Sequence, residues 1–209
     1  MSGPAPGAPD AARARPLARP LLHAAMGLNA LWLGVLPRAG TVAMACAALV
    51  LNWLVMPRTR WGRALERPGE PFVGGLRTYP LAVLGLVLLL PPAEAAAAWG
   101  ILAFGDSAAA LVGARVRSPA LLGHRKATWA GSGAFLLAGT LAAWGLAHAV
   151  VALAGSVGGV QPGALPTLPV LALAALAAAL LDLVRIPPDD NLPCAAACAG
   201  TLHLLRGLL

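Results

Sequence analysis

Few side chains in this sequence can do acid, base or metal chemistry, and most of them fall into three groups. Asp106 sits in Phe104-Gly105-Asp106-Ser107-Ala108-Ala109-Ala110, where small neighbours let a helix or a phosphate approach its backbone. Asp182 precedes Asp189-Asp190-Asn191, a triplet that follows Pro187-Pro188 and opens another apolar run. Adjacent carboxylates and an amide are hard oxygen ligands of the kind Mg²⁺ takes. The same triplet also suits helix capping and turn chemistry, and both readings stand at this point. The third group is Arg125-Lys126-Ala127-Thr128-Trp129-Ala130-Gly131-Ser132. Arg and Lys there can hold phosphates and Thr128 can cap the following helix, although membrane proteins also use such charges simply as anchors. His23, four residues after Arg19, adds one imidazole, although a lone histidine near an interface is usually structural. Oxygen ligands for a metal beside bases for phosphate point to phosphoryl or nucleotidyl transfer, in which catalysis is positioning plus charge neutralisation. Neither a Walker loop nor a kinase-type Gly-rich loop is present.

The elements that must position these residues are apolar. Of 209 residues, 59% are hydrophobic and 11% charged, against about 25% charged in an ordinary soluble domain. Mean hydropathy is +0.77. Such a composition excludes a soluble globule, a disordered chain and a disulfide-rich scaffold, and it predicts an all-α, polytopic transmembrane bundle. Seven apolar runs stand out, at about 20–36, 40–56, 77–91, 94–114, 128–154, 166–182 and 192–208. Several are short for a span of ~20 residues, which tilt or a thin local bilayer accommodates. With the N-terminus inside, all of the 15 Lys and Arg except Arg38 and Arg206 fall on one side, so the positive-inside rule predicts N-in and C-out. The net charge of +7 therefore belongs to cytoplasmic loops, and no soluble basic domain is present to bind nucleic acid. Residues 1–19 read as a disordered cytoplasmic tail with no signal-peptide pattern, and 20–209 as the membrane domain. Arg- and Ala-rich usage suggests a GC-rich bacterial genome and hence a bacterial cytoplasmic membrane.

An ionisable residue inside a bilayer is a functional-site hypothesis by default. The predicted topology brings His23, Asp106, Asp182, Asp189, Asp190, Arg125 and Lys126 to the cytoplasmic face. Glu94 falls at the outer edge of the fourth run, as an interfacial helix-start residue. Glu66 and Glu70 lie among arginines in a loop, and His148 and His203 read as packing or interfacial residues. Cys194 and Cys198 share a helix face and read as small packing residues rather than metal ligands. No internal repeat is visible, which disfavours an inverted-repeat transporter.

These segments, in this order, resemble the polytopic lipid kinase family of phytol kinase, dolichol kinase and the CTP-dependent diacylglycerol kinase, often grouped with phosphatidate cytidylyltransferases. The likeness runs from about Arg19 onward and is specific in patches. They are Arg19 and His23; Gly105, Asp106, Ala109 and Gly113; Lys126, Thr128, Gly131 and Ser132; and Asp182, Asp189, Asp190 and Asn191. The chain departs from the family pattern at Asp182, where Glu is usual, at Ala127, where a base is common, and at Ala130, where many members carry an acid. The resemblance implies transfer of a γ-phosphate, from CTP or else ATP, to the hydroxyl of a membrane isoprenoid alcohol or diacylglycerol. It implies that Asp106, Asp189, Asp190 and Asn191 serve Mg²⁺ and the triphosphate. Arg125 and Lys126 would clamp phosphates within a nucleotide site that also takes in Gly105, Thr128, Gly131 and Ser132, with Arg115 as a helper. Asp182 or His23 would orient or deprotonate the acceptor hydroxyl. Two other readings remain at this stage: a phosphatidate cytidylyltransferase using the same metal and CTP, and a non-enzymatic transporter subunit or scaffold. A CDP-alcohol phosphotransferase would need further Asp residues within a turn or two of Asp106, and the next acid is Asp182.

Overall fold

The computed structural model describes residues 17–65, 74–121, 127–184, 186 and 189–206, with the side chains of 63–65 left out. Every regular element among them is helical. Helix α1 (Ala18–Gly27) tightens into a 3₁₀ segment, Leu28–Gly34. Helix α2 (Arg38–Val50) continues through a π-turn, Leu51–Val55, and a short 3₁₀ turn, Met56–Arg58. Then come α3 (Arg60–Leu65), α4 (Gly75–Leu89) and α5 (Pro92–Gly100). A second π-turn, Ile101–Gly105, joins α5 to α6 (Asp106–Arg115). Helices α7 (Trp129–Val157), α8 (Leu168–Asp182) and α9 (Asn191–Leu204) complete the order.

Each predicted apolar run finds a helix, with shifted edges. Helix α1 begins at Ala18, two residues inside the predicted tail, and α5 begins at Pro92, where proline suits the first turn because its missing N–H has no helical partner. Three continuous rods are long and apolar enough to cross a membrane: Arg38–Arg58, Pro92–Arg115 and Trp129–Val157. Helices α4 and α8 are apolar but shorter, at 15 residues each.

The rod Pro92–Arg115 is the axis of the bundle. Its most apolar window is 61% buried, against 11% for Arg38–Arg58 and 28% for Trp129–Val157. Ala95, Ala96, Ala97 and Ala98 are buried on every side of it, so neighbours close in all round. A Cβ on Gly100 would lie 3.1 Å from the Ala142 backbone in α7, and one on Gly27 would lie 2.6 Å from Ala103 Cβ. The outer faces carry Leu137, Leu141, Leu89, Leu168 and Leu204, each at least half exposed. Apolar surface of that extent is what a lipid-facing bundle presents.

At one end of the bundle Glu94, 1% exposed, receives Arg206 in a bidentate ion pair, Nε to Oε1 at 3.1 Å and Nη2 to Oε2 at 2.9 Å. This pair ties the start of α5 to the turn after α9. The connector before α8 is uncharged, and its Pro162 carbonyl accepts from the Ala93 amide at 2.8 Å. Gly163 follows with φ of +80° and its Cα face against Pro91, a backbone that only glycine takes without strain. The predicted packing role of the cysteines agrees with their burial: Cys194 and Cys198 direct their thiols at the Ala178 and Ala174 carbonyls of α8.

Candidate functional site

Helix α9 is 14 residues long, about 21 Å, and its two ends carry different chemistry. One end meets the Glu94–Arg206 pair. The other begins at Asn191 and borders a cavity of about 350 Å³. Arg19 and His23 enter that cavity from α1, Asp106 from α6, Asp182 from the end of α8, and Asp189, Asp190 and Asn191 from the start of α9. Residues from four separate stretches of sequence thus share one space.

Asp189 is held by two residues, Thr78 and Asn191. Thr78 of α4, fully buried, donates its hydroxyl to Asp189 Oδ2. The Asn191 backbone N–H donates to Asp189 Oδ1 at 3.1 Å, and the Asn191 side-chain amide donates to Oδ2 at 3.0 Å and to Thr78 Oγ1 at 3.1 Å. Asn191 therefore combines helix-start geometry with positioning of the neighbouring carboxylate. Gly75 makes the approach possible. A Cβ there would collide with the Arg19 guanidinium and lie 3.2 Å from Asp189 Oδ2. Because glycine has no such atom, a cation and a carboxylate reach the same stretch of backbone.

His23 packs against Tyr79 with ring centroids 4.3 Å apart and ring planes tilted by 56°. Tyr79 in turn accepts a hydrogen bond from Trp99 Nε1 at 2.7 Å. The imidazole Nε2 is buried and finds no hydrogen-bond partner among the described residues. Both π-turns border the cavity: Leu51 and Asn52 come from one, and Leu102 from the other, directly ahead of Asp106. Such single-turn bulges occur frequently at functional sites. Pro80 inside α4 also lines the wall, and its missing N–H leaves the Leu76 carbonyl without its usual helical donor.

Other expected site residues lie elsewhere. Arg125 and Lys126 fall outside the described residues, as do Glu66 and Glu70. On either side of 122–126, Ala120 bridges Thr128 and the Leu121 amide donates to the Ala127 carbonyl at 2.8 Å. Thr128 caps α7 as expected, its Oγ1 accepting from the Gly131 amide at 3.1 Å. Thr128, Gly131, Ser132, Gly105 and Arg115 do not line the cavity. Gly131 instead seats α7 on α6, where a Cβ would be 3.2 Å from the Ala109 carbonyl and 3.5 Å from Gly113 Cα. Gly105 abuts the Phe135 ring, and Arg115 Nη1 donates to the Leu111 carbonyl within its own helix.

Among the described residues, no three His, Cys, Asp or Glu side chains lie close enough to hold a metal ion together. Asp106, Asp189 and Asp190 therefore share a cavity without forming a three-carboxylate centre. That donor set still fits Mg²⁺, which is commonly held by one or two carboxylates plus water and substrate phosphates rather than by an all-protein cage. Sequence reasoning missed Gly75, Thr78, Tyr79 and Asn52. Only the Gly74-Gly75 pair ahead of a buried Arg77 and Thr78 offered a signal for any of them. No family model, curated protein or solved structure matches the chain.

Proposed function

We propose that this protein is an integral membrane phosphotransferase that moves a phosphate from a nucleoside triphosphate, CTP in preference to ATP, to the hydroxyl of a membrane isoprenoid alcohol or diacylglycerol. One observation carries the reading. A single cavity gathers Arg19, His23, Asp106, Asp182, Asp189, Asp190 and Asn191, and side chains such as Leu22, Met26 and Met44 complete its wall. A polar head and an apolar tail are what a lipid alcohol presents.

In this reading Asp106, Asp189 and Asp190, with Asn191, hold Mg²⁺, which when bound would neutralise charge on the triphosphate. Arg19 supplies positive charge at the cavity, and the loop carrying Arg125 and Lys126 adds phosphate contacts. His23 or Asp182 takes the proton of the acceptor hydroxyl as its oxygen attacks the γ-phosphorus, the bond from that phosphorus to the β–γ bridging oxygen breaks, and the nucleoside diphosphate leaves. Tyr79 fixes the ring plane of His23, and Thr78 fixes the carboxylate of Asp189. Seven crossings with the N-terminus inside place this cavity at the cytoplasmic face of a bacterial membrane, where nucleotides are found. The charge asymmetry of the loops supports that orientation.

The deciding experiment is phosphate transfer in detergent micelles with γ-labelled CTP or ATP, Mg²⁺ and a panel of lipid alcohols. Label in a lipid product, lost in Asp106→Asn and Asp189→Asn, is the expected result. CMP-lipid formed from phosphatidate would replace the kinase reading with a cytidylyltransferase. Neither product from a folded protein would overturn both.

A further inference from the structure

Helices α1 and α2 both line the cavity. Helices α1 and α2 are consecutive, joined through Val35–Pro37, yet they pack on different partners. The 3₁₀ segment after α1 meets α2 near the connector, while α1 itself leans on Ile101–Gly105 and on α6. Helix α2 packs on α4 instead. The two rods therefore diverge from the connector toward the end that carries Arg19 and Met56.

The space between them is the apolar half of the cavity. Leu22 and Met26 line it from α1, Met44 and Ala48 from α2, and Leu51 and Met56 from the π-turn and the turn after it. Three of these also belong to the outer surface: Leu22 is 43% exposed, Met26 41% and Leu51 47%. Cavity-wall side chains with that much accessible surface border an opening rather than a sealed void. Unbranched methionines at such an edge adapt to chains of irregular shape. Beyond these residues, on the inner side, stand His23, Asp106 and Asp189.

The geometry points to a lateral portal between α1 and α2 through which the apolar chain of the acceptor lies in the bilayer while its hydroxyl reaches His23 and Asp106. This rests on the lipid-phosphotransferase reading for the hydroxyl, but the seat for the chain is a binding site in its own right. The occupant is a membrane lipid rather than a protein helix. The gap is continuous with a polar pocket, and a helix placed there would bury those acids against backbone with no water to solvate them.

The test separates binding from chemistry. A long-chain isoprenoid alcohol carrying a diazirine at mid-chain is photolysed with the full-length protein in lipid nanodiscs, and the labelled peptides are mapped. Label concentrated in α1 and in Met44–Met56, and reduced at least about fivefold by Ala48→Trp, is expected. Leu137→Trp, on the outer face of α7, is expected to leave the pattern unchanged. Both variants are first checked for a single gel-filtration peak and wild-type Tm, with Ala48→Leu as the milder substitution if Ala48→Trp does not fold. In turnover assays Ala48→Trp raises KM for the lipid about tenfold and leaves that of a short water-soluble alcohol unchanged. Label spread evenly over the lipid-facing helices, or unaffected at position 48, overturns the portal even if phosphate transfer is observed. Focused label without any transfer keeps the portal and overturns the reaction.

Discussion

Thr78 and Asp189 are separated by 111 residues in sequence, and the hydroxyl of the first donates a hydrogen bond to the carboxylate of the second. Helix α4 thereby fixes the start of α9. Thr78→Val removes the donor and keeps the shape. We expect a stability loss of about 1.5–3 kcal/mol, the scale of one hydrogen bond to a charged group, because the Asn191 amide still serves Asp189 Oδ2. We also expect at least a tenfold fall in turnover, roughly the loss that accompanies a misplaced catalytic group. Thr78→Ser should recover most of both. Unfolding in detergent and the labelled-phosphate assay read the two effects separately. Unchanged turnover in a destabilised Thr78→Val would confine Thr78 to a structural role.

Gly75→Ala probes the same neighbourhood from the other side. The added methyl meets the Arg19 guanidinium, the far end of a flexible side chain, and lies 3.2 Å from Asp189 Oδ2, so both charged groups must shift. The expected outcome is a raised KM for the nucleotide with a Tm loss smaller than that of Thr78→Val. A large Tm drop with no change in KM would mean that Arg19 is a packing residue.

The Glu94–Arg206 pair gives a prediction independent of any reaction. Glu94 is 1% exposed, so Arg206→Ala strands a carboxylate in an apolar setting. Removing one partner of a buried pair is far more damaging than removing both. Arg206→Ala should lower Tm by several degrees, and Glu94→Leu combined with Arg206→Leu should restore much of it. If the double variant is as unstable as the single, the pair contributes packing rather than charge compensation.

Topology can be read by thiol labelling. Cys194 and Cys198 are buried and Cys46 is exposed, so Cys46→Ala provides a quiet background. In that background Ser118→Cys should react with a membrane-impermeant maleimide only from the inner side, and Ser156→Cys only from the outer side. Reaction of both from one side would remove the proposed crossing of α7.

The acids and His23 were legible in the sequence because charge is rare in so apolar a chain. Eight Asp and Glu in 209 residues leave little background, and three of the four acids nearest the site stand next to or inside a helix-breaking or small-residue stretch. Thr78, Gly75 and Tyr79 were not legible, since Thr, Gly and Tyr fill many apolar helices without any role beyond packing. The Thr128–Gly131 segment shows how one pattern carries two physical demands. A cap and a missing Cβ serve phosphate binding in one reading, and here they serve the contact of α7 with α6. Seven helical runs followed from hydropathy, but their pairing did not, because a helix apolar on every face does not declare which side meets which neighbour.

The π-turn at Ile101–Gly105 has a consequence for how such a site arises. Each residue in an α-helix turns the chain by about 100°. The wider turn ahead of Asp106 therefore resets the direction of everything that follows it relative to Pro92–Gly100. Removing one residue from that turn would swing the carboxylate away from the cavity while leaving composition, hydropathy and helix content almost unchanged. The orientation of the acid is thus controlled by the gain or loss of a single codon rather than by any exchange of side chains. Because Gly27 and Gly100 leave no room for a Cβ where this rod meets its neighbours, the same one-residue change would also demand shifts in α1 and α7, so the direction of the acid and the packing around it are coupled.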